Sequence, residues 1–132
     1  EIVTTLDLLN IIEGIVPAKT RNKFLSRVFQ SLRIEVNNEI ESLKKMLIDG
    51  VDLLNEGGRF VVLTYHSLED RLVKNLFKRG TFSGEIKKDF FGNTLKDMDE
   101  VNRKVIVSSD MEKKQNNRSR SAKLRIAEKI IK

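Results

Sequence analysis

Tyr65-His66-Ser67-Leu68-Glu69-Asp70-Arg71 gathers the side chains best suited to chemistry in this chain, including its only histidine, two carboxylates, a hydroxyl and a guanidinium. Such groups move protons and hydrogen-bond polar ligands. They follow the apolar run Phe60-Val61-Val62-Leu63. In an α/β sheet, the turn after such a strand opens into the crevice where ligands bind. Each residue also has a plainer reading. His66 can be a turn residue bonded to backbone, Ser67 and Asp70 can be the partners of a capping box, and Glu69 with Arg71 can be a solvated pair. A Ser-His-Asp hydrolase arrangement is excluded, because capping would take Ser67 and Asp70 together.

Two further groups stand out. Arg33 and Asn37 lie one turn apart on a helical stretch and share a face. Arg118-Ser119-Arg120-Ser121 alternates guanidinium and hydroxyl donors, a run suited to phosphate contacts. There is no G-x-G-x-x-G and no G-x-x-x-x-G-K-[ST]. Gly57-Gly58 reads as a helix stop rather than a phosphate loop. Cysteine is absent, which removes disulfides, thiolate metal sites and thiol nucleophiles and fits a cytoplasmic location. With one histidine, no metal site is expected.

The elements that must position these residues follow from periodicity. Leu6, Leu8, Leu9, Ile11, Ile12, Ile15 and Val16 predict a helix capped by Thr4 or Thr5 and stopped by Pro17. The apolar spacing from Phe24 to Leu54 predicts one kinked helix or two end-to-end helices from about Asn22 to Asn55, with Asn38 and Glu41 as a capping box, closed by Gly57-Gly58. Phe60–Leu63, apolar on both faces, predicts a strand in the middle of a covered, mostly parallel sheet. Leu68, Leu72, Val73, Leu76 and Phe77 predict a helix ending at Gly80. Residues 81–99 predict a surface excursion pinned by Phe82, Phe90 and Phe91. Arg103–Val107 predicts a short strand, 108–117 a loop, and Ala122–Glu128 a last strand by its alternation. Helix, strand, helix in that order predicts an α/β fold. Three strands are few for such a sheet, and the chain, which starts without Met, signal core or basic leader, reads as the second half of something.

The net charge of +6 is uneven. Residues 112–132 hold eight cations against two carboxylates, the entire excess, while residues 1–111 balance. Either a polyanion partner, nucleic acid before membrane, or a solubilising terminus accounts for this. No apolar run approaches a membrane span, and no membrane partner is expected.

Three motifs carry a family resemblance. Val28-Phe29-Gln30-Ser31-Leu32-Arg33-Ile34-Glu35-Val36-Asn37-Asn38-Glu39 resembles the FQALRI-x-VN-x-E helix of the small-subunit ribosomal RNA cytosine-N4 methyltransferases, the RsmH (MraW) family. Gly57-Gly58-Arg59 through Asp70-Arg71 resembles that family's GGRL-x-VISFHSLEDR, and Arg118 through Arg125 its closing RSRSAKLR. The resemblance implies the C-terminal part of a Rossmann-like class I methyltransferase sheet of about three strands. Residues 1–33 would end an inserted helical substrate-recognition domain, and 34–132 would form the C-terminal half of the methyltransferase domain. It implies S-adenosylmethionine as cofactor and an rRNA cytosine, in the small ribosomal subunit, as substrate. The family's glycine-rich cofactor loop has no counterpart here, so no cofactor residue is assigned and the isolated piece is expected to be inactive.

From position and resemblance together, His66, Glu69 and Asp70 are placed nearest the cytosine. Arg33, Asn37, Ser67 and Arg71 line the substrate side, and Arg118, Arg120, Lys123 and Arg125 contact RNA. The competing expectation is a non-catalytic rRNA-binding module or a structural fragment. If the neighbouring half of the sheet is missing, the edge of Phe60–Leu63 is open and a homodimer through it is expected.

Overall fold

Thr4 opens the first helix, as its spacing predicts. Its hydroxyl accepts the Asp7 N–H at 3.1 Å while the Asp7 carboxylate takes the Thr4 N–H at 2.8 Å. In this computed structural model, which describes residues 1–131, α1 spans Thr5–Ile12, α2 Arg21–Val36 and α3 Glu39–Leu53. Single 3-10 turns at Glu13–Ile15 and Ala18–Thr20 join α1 to α2. The stretch predicted as one kinked helix or two is therefore two. Asn38, between them, sits at φ 52°, in the left-handed region that asparagine tolerates, and turns the chain there.

Residues 1–39 form one compact unit and those from Ile40 onward another. The first has no fully buried side chain. The second holds the core: Leu47 and Val51 of α3 pack with Val62, Val73, Phe77, Met98 and Ala127.

Strand β1 spans Arg59–Thr64, helix α4 Ser67–Arg79, β2 Met98–Glu100, β3 Ile106–Val107, helix α5 Asp110–Gln115 and β4 Lys123–Lys129. β4 lies antiparallel between its neighbours. One edge pairs with β1, from Arg59 opposite Glu128 to Thr64 opposite Lys123. The other pairs with β2 and then β3. β1 and β2 thus run parallel to one another with β4 inverted between them, four strands in a sheet three positions wide.

Several expectations change here. β1 is not the middle of a parallel sheet. Its one partner among the described residues is antiparallel β4, and burial alternates along it, with Val62 and Thr64 inside and Val61 and Leu63 about half exposed. The predicted strand at 103–107 shrinks to its last two residues, and a second piece appears at Met98–Glu100, where Asp99 and Glu100 masked the strand signal. The predicted loop at 108–117 contains α5, capped by the Ser109 hydroxyl. Of the three phenylalanines expected to pin the 81–99 excursion, only Phe82 packs against the core. Phe90 and Phe91 stand almost fully in solvent, edge to face with centroids 5.7 Å apart.

Two devices fix the frame around the site. Gly80 ends α4 at φ 71°, and a Cβ there would lie 2.5 Å from the Leu95 carbonyl oxygen, so the position requires glycine. Lys129 Nζ donates to the carbonyls of Val51 and Leu54 at 2.8 Å and of Asp52 at 3.3 Å, satisfying the open end of α3.

Candidate functional site

The β1–α4 turn is built differently from its sequence reading. The N-cap of α4 is His66, not Ser67, which is the helix's first residue. His66 keeps extended backbone at φ −140° and ψ 164°, and its Nδ1 accepts the Glu69 N–H over a long 3.4 Å. Because Nδ1 accepts, the neutral imidazole carries its proton on Nε2. The Glu69 carboxylate turns back toward the strand, where Oε2 accepts the backbone N–H of Tyr65 at 3.0 Å and of His66 at 3.3 Å. Glu69 is therefore half of a capping box rather than a solvated partner of Arg71. His66 Nε2 is buried and faces Glu69 Oε1 at 3.0 Å, close but out of line for a hydrogen bond.

The one-residue shift of the cap releases Asp70. Its side chain points under the helix, where Oδ1 accepts from Arg125 Nε at 2.7 Å and Oδ2 from Arg125 Nη2 and Lys123 Nζ, both at 3.2 Å. Asp70 and Arg125 are both largely buried, so the pair bolts the start of α4 to β4. Burial by itself raises the pKa of the Asp70 carboxyl. The hydrogen bonds and charges of Arg125 and Lys123 outweigh it and hold the group below its ordinary 3.8.

The predicted residues thus fall into distinct places. His66, Glu69, Asp70, Lys123 and Arg125 meet at the turn, with Ser67 and Arg71 exposed beside them. Lys123 and Arg125 are engaged by Asp70. Arg118 and Arg120 lie exposed on a 3-10 turn, Asn117–Ser121, either side of buried Ser119, and neither forms an ion pair among the described residues. Arg33 and Asn37 belong to the first unit and converge on one carboxylate: Glu39 accepts from Arg33 at 2.8 and 3.2 Å and from Asn37 at 3.2 Å.

Sequence reasoning overlooked Tyr65. It is half exposed at the end of β1, on the same side as Val61 and Leu63. With Leu63, Leu124, Ile106 and Ser119 it lines a largely apolar cleft of about 300 Å³. The signal was present in the two-residue alternation that places Val61, Leu63 and Tyr65 on one face. The arrangement can hold a flat, partly apolar group against the sheet, with Ser108, Asn116 and Glu112 supplying polar groups at its wall. Among the described residues, no cluster of side chains is arranged to hold a metal ion.

A family model described as the MraW methylase family matches residues 1–130. A protein of Azobacteroides pseudotrichonymphae named ribosomal RNA small subunit methyltransferase H is 55% identical over 130 residues, covering 98% of this chain. Proteins of the same name from Parabacteroides distasonis and Flavobacterium johnsoniae are 54% and 50% identical over 98% of the chain. The chain spans only 42–43% of the length of these relatives.

Proposed function

The chain belongs to the MraW methylase family, and on that premise we propose that it is part of an enzyme methylating a cytosine N4 in small-subunit ribosomal RNA, with S-adenosylmethionine as methyl donor. Residues 34–132 are read as the C-terminal half of a Rossmann-like methyltransferase domain and residues 1–33 as the end of an inserted helical domain. The inverted β4 between two mutually parallel strands supports the first assignment. Cytoplasmic location follows from the substrate, and no helix among the described residues is long and apolar enough to cross a membrane.

S-adenosylmethionine supplies an activated methyl group when bound. The residues present do not fit it. At the β1–α4 turn Asp70 is committed to two cations and no glycine-rich turn follows β1, so the turn offers no cradle for the cofactor. No step is therefore derived through the cofactor, and this chain is assigned the nucleobase side of the reaction.

The observation that carries this reading is the His66 imidazole held 3.0 Å from the Glu69 carboxylate at the end of β1, next to a half-exposed tyrosine. Cytosine N4 is a poor nucleophile because its lone pair is delocalised into the ring. Catalysis therefore depends on holding the amine in line with the methyl group, and on a base already drawn out of its stack. His66 and Glu69 bind and orient the base edge. Asp70 acts through Arg125 and Lys123, fixing the turn as a positioning residue. Tyr65 offers its ring to the flat face of the base, with Ser67 and Arg71 at the rim. Arg118 and Arg120 hold the RNA backbone, and Arg33 with Asn37 shapes the substrate side. Among the described residues one edge of β1 has no partner strand, which suits pairing with a further strand of the longer protein.

The test uses the longer protein that carries this sequence, assayed for methyl transfer to ribosomal RNA with the product located by mass spectrometry. Glu69→Gln is expected to lower turnover by about 100-fold. An unchanged rate, or a methyl group found elsewhere than cytosine N4, would overturn the assignment. Calorimetric titration of this chain alone with S-adenosylmethionine is expected to show no binding.

A further inference from the structure

Beyond the basic C-terminal run, the fold assembles a second cationic surface, four of whose five cations lie in the charge-balanced part of the sequence. Lys74 and Lys78 of α4, Arg103 and Lys104 between β2 and β3, and Arg125 of β4 line one open groove of about 480 Å³, with Glu100 its single carboxylate. Lys74, Lys78, Arg103 and Lys104 are exposed, and none forms an ion pair or side-chain hydrogen bond among the described residues. Arg125 keeps part of its guanidinium free, since Asp70 takes only Nε and one N–H of Nη2.

This clustering has a cost. Lys74 and Lys78 are one helical turn apart, a spacing at which like charges destabilise a helix. Lys78, in the last turn, is compensated by the helix dipole, but Lys74 is not. The two pieces β2 and β3 also leave residues 101–105 largely off the β4 ladder, with only the Val101 N–H still bonded to Ile126. That excursion is what carries Arg103 and Lys104 to the groove. Surface cations in a self-repelling cluster, with no internal counter-charge to account for them, match a polyanion. An RNA backbone fits better than a lipid surface, because only Val105 and Val107 are apolar among the lining residues.

We propose that the groove between α4 and the β2–β3 edge binds the phosphate backbone of RNA, as a site separate from Arg118 and Arg120. The inference rests on the RNA-directed reading above and adds a contact surface to it. Because Arg125 belongs both to the groove and to the Asp70 pair, a strand held there is mechanically tied to the turn carrying His66.

The experiment is fluorescence anisotropy of this chain with a labelled small-subunit rRNA stem-loop over a series of salt concentrations. The Lys74→Gln/Lys78→Gln/Arg103→Gln/Lys104→Gln variant removes four exposed cations, and an unchanged thermal melt confirms that it is folded. Its Kd is expected to rise at least about tenfold, with the log–log salt slope shallower by about three, since each phosphate contact contributes roughly 0.7–0.9 to that slope. A control, Lys44→Gln/Lys45→Gln/Lys87→Gln/Lys88→Gln, removes the same charge elsewhere and is expected to change both quantities much less. Equal losses in the two variants, an unaffected groove variant, or no RNA binding by the unmodified chain would overturn the site. So would tighter binding to phosphatidylglycerol vesicles than to RNA. Groove-dependent RNA binding by a longer protein that fails to methylate cytosine would leave this site standing and overturn the proposed reaction instead.

Discussion

Asp70 and His66 sit four residues from each other's helical register yet do opposite jobs, and each is separately testable. Replacing Asp70 by Asn leaves the Arg125 guanidinium buried without a counter-charge, which is expected to cost about 3 kcal/mol of stability. The pH dependence follows from the lowered pKa. A carboxyl held below 3.8 in the folded chain stabilises it above that value, and the contribution disappears as pH falls through the folded pKa. The gap in melting temperature between the native chain and Asp70→Asn is therefore expected to be full at neutral pH and to close in acid. His66 behaves otherwise. Serine is a better N-cap than a histidine accepting over 3.4 Å. His66→Ser is expected to melt at or above the native temperature, a gain of up to about 1 kcal/mol, while methyl transfer by the longer protein falls. A marked loss of stability would make His66 a structural residue.

At the scale of elements, two contacts decide whether α3 and α4 end where they must. Gly80→Ala forces a side chain into a left-handed position against the Leu95 carbonyl, and a loss of about 1–3 kcal/mol in chemical denaturation is expected. Lys129→Met strips the donors from three carbonyls at the end of α3. Its expected cost is about 1–2 kcal/mol, with faster amide exchange in the last turn of that helix. The sequence made the larger elements legible because their signals are local: the apolar spacing of α1 to α4, the Gly80 stop and the run at Phe60–Leu63 all read correctly as elements. What it hid depends on distant partners. Histidine is not a usual cap, so the box was read one residue late, and Asp70 was assigned to capping when its true partners lie more than fifty residues away. Asp99 and Glu100 join a strand only because β4 offers them an edge. Likewise, a charge count along the chain places all the excess at the C-terminus, while the fold collects Lys74, Lys78, Arg103 and Lys104 on a single groove.

Taken as a whole molecule, the chain is unequal in its two parts. Every fully buried apolar side chain lies between Leu47 and Ala127, and residues 1–39 contribute none. A chain trimmed of residues 1–38 is therefore expected to keep a cooperative melt close to that of the full chain, whereas hydrogen exchange within α1 and α2 of the full chain should be fast under native conditions. A collapse of the trimmed chain would show that the core depends on the first unit after all. The same molecule-wide view gives Tyr65 a practical value. It is the sole tyrosine and there is no tryptophan, so nearly all the intrinsic ultraviolet emission of the chain arises from one ring, half in solvent, adjoining His66. If the turn takes a nucleobase as proposed, quenching or brightening of that emission is expected on titration with cytidine, with no dye or engineered reporter needed.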